Sequence, residues 1–469
     1  MENWTKNRLG DVCSKIGSGA TPTGGKENYL TEGPFSLIRS QNVLNECFSH
    51  QGLAFISEAQ AKKLDGVAVS ERDVLLNITG DSVARVCMVD NDVLPARVNQ
   101  HVAIIRADNI KLDSGFLRYF LVAPKQQEKL LALASAGATR NALTKGMIEN
   151  FQIPLPPLPE QRAIASVLGS LDEQIEGLRR QNATLEALAQ TLFRAWFVDF
   201  EPVKAKAAGL APACLDEETA ALFPDSFEDG LPVGWEKATL SDFAYTTLGG
   251  DWGNDNATDR RDHVEIVCLR GADLESLRFS GEAKQAPRRW VARSSVEKRI
   301  IADTDVLIGG SGAGPCGKPF WGLSSFQKQF DQPVIYSNFV KRFRTPSPSH
   351  ACFLYRILLL MQENGEMQNY INGTSVPNLS DKQLLQQTKV VLPPQDVLDA
   401  YFAFVEPISN KLFDGQARTL AQIRDSLLPR LLSGALRVPE SLISEHRDGV
   451  PMDGNALPVH RDDELMLEF

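Results

Sequence analysis

Leu168-Gly169-Ser170-Leu171-Asp172-Glu173-Gln174-Ile175-Glu176-Gly177-Leu178-Arg179-Arg180-Gln181-Asn182-Ala183-Thr184-Leu185-Glu186-Ala187-Leu188-Ala189-Gln190-Thr191-Leu192-Phe193-Arg194-Ala195-Trp196 is the stretch on which the reading of this chain turns. Its apolar residues fall at Leu168, Leu171, Ile175, Leu178, Leu185, Leu192 and Trp196, and Asn182 and Ala189 complete the alternating three- and four-residue steps of a coiled-coil seam. The spacing predicts one long amphipathic helix that needs a partner helix. An ordinary core helix with a wide apolar face is the plainer alternative, and Asn182 at a seam position favours the coiled coil, because a buried Asn fixes register at a cost in stability.

Upstream, Ile153-Pro154-Leu155-Pro156-Pro157-Leu158-Pro159 holds the backbone extended and lets the helix start near Glu160, whose carboxylate suits a helix N-terminus. A helix from about residue 160 to about 198 is on the order of 55–60 Å long at 1.5 Å per residue. That is a strut, longer than most domains are wide.

The chain on either side of this strut repeats itself. Trp4 and Trp235 are 231 residues apart, as are Leu9 and Leu240, and Asp73-Val74-Leu75 recurs as Asp305-Val306-Leu307. Val102 recurs as Val340, Phe116-Leu117 as Phe353-Leu354, Leu143 as Leu379, and Leu155-Pro156-Pro157 as Leu392-Pro393-Pro394. A collinear series of this kind predicts a duplication, with the order globule, helix, globule, helix. Within each globule, short β-rich runs such as Val74-Leu75-Leu76-Asn77-Ile78 alternate with turn residues, and helical stretches are expected near 114–133 and 351–370, so the class is α+β. The second long helix, roughly Asp396 to Leu432, carries Val405, Ile408, Leu412, Ile423, Leu427 and Leu431; Pro407 is expected to break or restart it and Gly415 to weaken its seam.

With 469 residues there is ample chain for two or three cores. A net charge of −10 argues on its face against nucleic acid, but the charge is unevenly placed. Residues 199–230 hold eight acids against Lys204 and Lys206, and residues 440–469 hold eight against Arg447 and Arg461. The remainder is slightly basic, with clusters at Arg260/Arg261, Arg288/Arg289, Lys298/Arg299 and Lys341/Arg342/Arg344, any of which solvation alone could explain. The seven cysteines lie far apart without a Cys-x-x-Cys pair and the six histidines have no metal spacing, so neither a disulfide framework nor a zinc site is signalled. No signal peptide or bilayer-length apolar run is present, so a cytoplasmic location without membrane contact is expected.

Two blocks carry a resemblance. Pro156-Pro157-Leu158-Pro159-Glu160-Gln161-Arg162-Ala163-Ile164-Ala165, followed by Leu192-Phe193-Arg194-Ala195-Trp196-Phe197-Val198-Asp199-Phe200-Glu201-Pro202-Val203, resembles the central conserved region of Type I restriction-modification specificity subunits. Leu427-Leu428-Pro429-Arg430-Leu431-Leu432-Ser433-Gly434-Ala435-Leu436-Arg437-Val438 looks like the same family's C-terminal conserved region. The second half lacks the Glu-Gln-Arg that follows the prolines in the first, so the two regions are not interchangeable.

The resemblance implies two target recognition domains, 1–152 and 231–389, joined by conserved helical regions at 153–200 and 390–438 that form an antiparallel coiled coil with pseudo-twofold symmetry. An acidic linker, 201–230, and an acidic flexible tail, 439–469, complete the expected layout. It implies a DNA-recognition role without catalysis: each globule binds one half of a bipartite, asymmetric double-stranded DNA site. It further implies two modification subunits that bind S-adenosylmethionine, and restriction subunits that use ATP and Mg. No cofactor is expected in this chain itself. Docking onto those subunits is assigned to the conserved helices and to Phe193, Trp196, Phe197 and Phe200, although core packing explains these aromatics equally well.

Base readout calls for Arg, Lys, Asn, Gln, Ser and Thr on turns. The candidates are Thr21, Thr23, Lys26, Arg39, Gln41, Asn42, Asn99, Gln100, Arg140 and Asn141 in the first globule and Arg270, Asn338, Asn372, Thr374 and Ser375 in the second. The family's strand and glycine turn adds Asn77, Thr79, Arg85, Ser311 and Lys318. For each, a turn former or a structural hydrogen bond is the competing reading.

The competing functional class is a nucleotide-binding enzyme built on Gly309-Gly310-Ser311-Gly312-Ala313-Gly314-Pro315-Cys316-Gly317-Lys318-Pro319, which matches a P-loop as far as the lysine. Pro319 stands where a P-loop needs Ser or Thr and a helix start. A non-specific coiled-coil scaffold is a third reading. No methyltransferase signature, catalytic triad or carboxylate pair emerges.

Overall fold

The structure, a computed structural model, describes residues 4–22, 24–135, 141–257, 262–283, 285–373 and 375–447, apart from the side chain of Lys26. The chain forms two compact units, one made of residues 1–173 with 420–469, the other of residues 174–419. Each unit therefore takes part of each helical region with it, so the helices are not separate bodies.

The first unit holds an antiparallel sheet in the order Cys13–Ser18, Val102–Ala107, Val74–Asn77, Val86–Met88. Beside it lies a three-stranded sheet, Ala54–Ile56, Phe35–Ile38, Ala96–Val98, whose last pair is parallel. The second unit repeats both: Tyr245–Thr246, Val340–Arg344, Asp305–Gly309, Pro319–Phe320, and Arg288–Ala292, His263–Leu269, Val334–Tyr336, again with a parallel last pair. Thr5–Arg8 pairs with Gln152–Leu155, and Glu236–Thr239 with Lys389–Leu392, closing each globule at its base. The helices Ser114–Val122 and Pro348–Glu363 cover the larger sheets with their apolar faces. This is the duplicated α+β architecture expected.

The duplication extends to single buried charges. Asp73 accepts two hydrogen bonds from Arg106, both at 2.7 Å, and one from the Ser70 backbone at 2.8 Å. Asp305 accepts two from Arg344, at 2.7 and 2.8 Å, and one from the Ala302 backbone at 2.9 Å.

The long helix runs Leu158–Phe197, 40 residues and so about 60 Å. In the first unit it buries Ala163, Ile164 and Leu168 in the core that also takes Leu428, Leu431 and Leu432. In the second it contributes Ala189, Phe193, Trp196 and Phe197, which meet Val397, Leu398, Tyr401 and Val405. The Tyr401 hydroxyl donates to the Ala189 carbonyl at 2.8 Å, and Asp172 meets Arg424 at 2.8 Å, so the partner's numbers fall as the long helix's rise. The pairing is antiparallel. Asn182 is half-buried and makes no side-chain hydrogen bond among the described residues, so its expected register lock has no bond behind it.

The partner helix departs from expectation. It is two helices, Gln395–Leu412 and Gln416–Leu432, and the break falls at Phe413–Gly415, where Gly415 takes φ 78°, not at Pro407. Pro407 and Ala403 both lie on the exposed face, so the carbonyl orphaned by the proline is one that water can satisfy.

The acidic stretch 201–230 is also more than a linker. It forms helices Glu201–Ala207 and Glu217–Ala221 and a small hairpin, and it buries Val203 and Phe223, the latter with its ring 5.0 Å from that of Trp196. Two anchors in an acidic background give no periodic signal. Likewise the expected flexible tail begins as a helix, Glu440–Glu445, with Leu442 and Ile443 against the first core, while its residues from 448 lie outside the described ones.

One polar cluster fastens the first globule to its helices. Asp172 accepts hydrogen bonds from Tyr119 at 2.6 Å and from Arg118 and Arg424 at 2.8 Å each. Burial raises the Asp172 pKa, but the bonds from Tyr119 and Arg424 and the Arg118 charge outweigh it and hold the carboxyl below its usual range. A depressed folded pKa contributes stability that is present above the unfolded pKa, about 3.9, and is lost as pH falls through the folded value. Asp172→Asn is therefore expected to cost about 2 kcal/mol at pH 7. The deficit against the native chain should shrink below about pH 4, which urea midpoints at the two pH values will report.

Candidate nucleic-acid interface

In each unit three turns are tied together by the same backbone bonds. In the first, Ile78 N donates to His101 O at 3.0 Å, Leu143 N to Ile78 O at 2.8 Å and Gly80 N to Asn141 O at 3.4 Å. In the second, Gly310 N donates to Phe339 O at 2.7 Å, Leu379 N to Gly310 O at 2.8 Å and Gly312 N to Pro377 O at 3.0 Å. Gly80 and Gly312 take φ 77° and 104°, a region that disfavours a side chain. A fourth segment joins them: Ala20 N bonds Val98 O and Asp251 N bonds Tyr336 O. A Cβ on Gly19 would lie 2.1 Å from Val98 O and one on Gly250 would lie 2.2 Å from Ser337 O, so only glycine lets the chains approach.

On this platform the first-globule candidates separate into two sets. Asn42, Asn77 and Asn99 are buried and bond backbone: Asn42 to Arg39 N and Ser49 O, Asn77 to Ser40 O and Val43 O, Asn99 to His101 N. Arg39 donates to Gly52 O and packs over Tyr29. These four shape the turns. Thr21, Gln41, Gln100, Asn141 and Arg85 are exposed, with Thr21 donating to Gln100 at 2.9 Å and Gln41 to Gly52 O at 3.2 Å. Half-buried Thr79 meets His101 Nδ1 at 2.6 Å, and Gln100 Nε2 lies 3.3 Å from His101 Nε2. His101 was not foreseen, although it directly follows the flagged Gln100.

In the second globule Ser311, Asn338, Asn372 and Ser375 lie on the joined turns, Asn338, Asn372 and Ser375 being exposed and Ser311 half-buried. Arg270 is held instead by a fork to Asp273, 2.9 Å at each bond, that caps the helix Gly271–Ser280. Lys318 is paired with Glu275 at 2.6 Å. Thr23, Arg140 and Thr374 lie outside the described residues, and Lys26 is described in its backbone only.

The described arginines of the second globule's basic clusters are held by carboxylates or carbonyls. Arg288 pairs with Glu265 and Arg289 with Asp255 while stacking on Trp252. Arg299 donates to Gly249 O, and Arg342 donates to Thr247, Ile300 O and Lys298 O. Arg260 and Arg261 lie outside the described residues.

The aromatics considered for docking follow the core-packing alternative. Phe193, Trp196 and Phe197 are buried, packed on Tyr401, Phe353, Phe223 and Trp235, because the three- and four-residue spacing puts them on the face that meets the partner helix. Phe200 is half-buried, at φ 54°, with its ring 5.5 Å from Trp235.

The glycine-rich loop 309–318 is a hairpin turn: Leu307 and Ile308 pair with Phe320 and Pro319 in an antiparallel ladder. Several of the amides that a phosphate would need are spent, Gly309 N on Lys318 O, Gly310 N on Phe339 O, Gly312 N on Pro377 O, Gly317 N on Gly309 O and Lys318 N on Pro315 O. Lys318→Ala is expected to leave the chain without any ATP-dependent change in melting temperature, as in the native protein, and to cost about 1 kcal/mol because its ion pair is only partly screened by solvent. Among the described residues no cluster of three His, Cys, Asp or Glu could hold a metal ion, and no helix is long and apolar enough to cross a membrane.

Similar proteins align with nearly the whole chain. The family profile of the Type I restriction modification DNA specificity domain matches residues 1–187. The Type I restriction enzyme MjaIX specificity subunit of Methanocaldococcus jannaschii is 26% identical over 458 residues, 94% of this chain and 95% of that protein. The HindI specificity subunit of Haemophilus influenzae is 25% identical, over 93% of this chain and 100% of its own. A crystal structure of a Type I restriction-modification S subunit from M. genitalium shares the fold at 18% identity, with a TM-score of 0.50 over 92% of this chain and 96% of that one. With its two globules and its antiparallel helices, the chain is similar along nearly its whole length to specificity subunits of Type I restriction-modification systems.

Proposed function

We propose that this chain reads the DNA site for a Type I restriction-modification complex, one half-site per globule, and carries no catalytic residue of its own. The observation behind this reading is the turn platform, which keeps the same backbone bonds in both globules while presenting different side chains. A common backbone with unlike side chains is what a reader of two unlike half-sites requires. The recognition domains are 1–152 and 231–389. Thr21, Gln41, Thr79, Arg85, Gln100 and Asn141 face the first half-site, and Ser311, Asn338, Asn372 and Ser375 the second.

The partners are double-stranded DNA, modification subunits and restriction subunits. The methyl donor, ATP and Mg belong to those subunits, a reading supported by the hairpin pairing of the glycine-rich loop, which runs into strand and not into a helix N-terminus. Pro319, where a P-loop needs Ser or Thr, speaks with that pairing against the nucleotide-binding alternative. The place of action is the cytoplasm, where such DNA lies.

Co-expression with its modification subunits, followed by mapping of N6-methyladenine across a genome, tests the reading. A single bipartite motif with a fixed unspecified spacer is expected. An assembled complex, supplied with S-adenosylmethionine, that leaves no motif would reduce the chain to a scaffold.

A further inference from the structure

Phe339 is 59% exposed and Val376 is 67% exposed, and both stand on the second globule's platform. Phe339 O receives Gly310 N, and Pro377 O, next to Val376, receives Gly312 N, so the two side chains leave turns that close on one tripeptide. Neither has an aromatic or cationic partner among the described residues. A lone exposed apolar side chain is ordinary. Two on adjoining turns, beside Ser311 and Asn338, ask for a contact.

The first globule shows what the same positions hold when the readout is polar. His101 O accepts from Ile78 N as Phe339 O does from Gly310 N, but its imidazole is half-buried and bonded to Thr79 and Gln100. In sequence Val376 stands where the first globule has Arg140, both 236 residues apart as Leu143 and Leu379 are. A phenyl ring and an isopropyl group cannot donate or accept hydrogen bonds. The apolar group that a base pair displays in the major groove is the thymine 5-methyl.

We infer that Phe339 and Val376 read thymine 5-methyl groups in the half-site bound by the second globule. The inference rests on the DNA-reading function proposed above and names part of its chemistry. It gives the two halves different logic: hydrogen bonds in the first, hydrogen bonds with methyl contacts in the second.

The test uses the chain assembled with its modification subunits and duplexes carrying the mapped site. Each thymine of the second half-site is replaced in turn by deoxyuridine, which removes only the methyl. At one or more positions the native complex should methylate about fourfold more slowly per methyl lost from an apolar contact. Phe339→Ala or Val376→Ala should show that loss already on the thymine duplex and no further loss with deoxyuridine at the thymine which that side chain contacts. Phe279→Ala, 64% exposed on the helix Gly271–Ser280, should behave as native.

Equal rates on thymine and deoxyuridine in the native complex, a second half-site without thymine, or variants that keep full sensitivity would each overturn the inference while leaving the bipartite motif standing. Absence of any motif in the genome would instead take down the DNA-reading function, and the inference with it. Loss of subunit assembly in Phe339→Ala would assign these side chains to a protein contact and overturn it as well.

Discussion

Asp305→Ala is expected to destabilise the second globule by about 3–5 kcal/mol, because it removes the carboxylate that, among the described residues, is paired with a deeply buried arginine. Asp305 is fully buried and holds Arg344 by two hydrogen bonds and the Ala302 amide by a third. Arg344 is 35% exposed, and water would recover much of what its fork loses. Arg342 is the costly neighbour. It is 3% exposed, lies 3.6 Å from Asp305, and otherwise, among the described residues, donates to neutral oxygens, those of Thr247, Ile300 and Lys298.

Removing Asp305 strands that guanidinium charge in the interior, where an unpaired ion is expensive. The first globule supplies the control. Asp73 makes the same fork to Arg106, which is 33% exposed, but the sequence position corresponding to Arg342 there is Ile104. Asp73→Ala should therefore cost less, about 1–3 kcal/mol. Urea unfolding of the two variants ranks them. An equal cost would mean that the fork, not the buried Arg342, sets the penalty.

The same contrast between shared backbone and private side chains explains what sequence reading reached. The strut is legible because nine seam positions repeat a three-four step over eight turns, and the duplication because Asp73 and Asp305, or Leu143 and Leu379, hold structurally fixed places. Pro407 misled because a proline's cost depends on which face carries the orphaned carbonyl, and a face is a tertiary fact. Phe223 was hidden because one buried ring in an acidic stretch has no period.

The interface was legible as a set of turns and not as a set of readers. Asn77, Asn99 and Gln100 are all amides on turns, but Asn77 and Asn99 point inward to backbone and Gln100 outward. Nothing in residue type distinguishes a side chain that builds a turn from one that the turn presents. The basic clusters failed for a related reason: Arg289, Arg299, Arg342 and Arg344 have found backbone carbonyls or carboxylates, so charge density along the sequence overstated charge available at the surface.

The second large effect is expected in what the complex methylates. Ser311→Ala with Asn338→Ala should lower methylation of the mapped site on the order of 10²-fold, since each lost base contact costs about 1–3 kcal/mol. Neither side chain makes a hydrogen bond among the described residues, so folding should change by no more than about 0.5 kcal/mol. Thr21→Ala with Gln100→Ala should do the same from the first globule, with their mutual bond and the Gln100 contact to His101 lost.

The informative readout is where the motif degrades. If each globule reads its own half, the first pair of substitutions will relax bases in one half-site and the second pair bases in the other, with the spacer unchanged. Relaxation of both halves by either pair would mean that the platforms do not read independently. A loss of rate with every base still specified would place these four side chains on phosphates, which position the protein and carry no sequence.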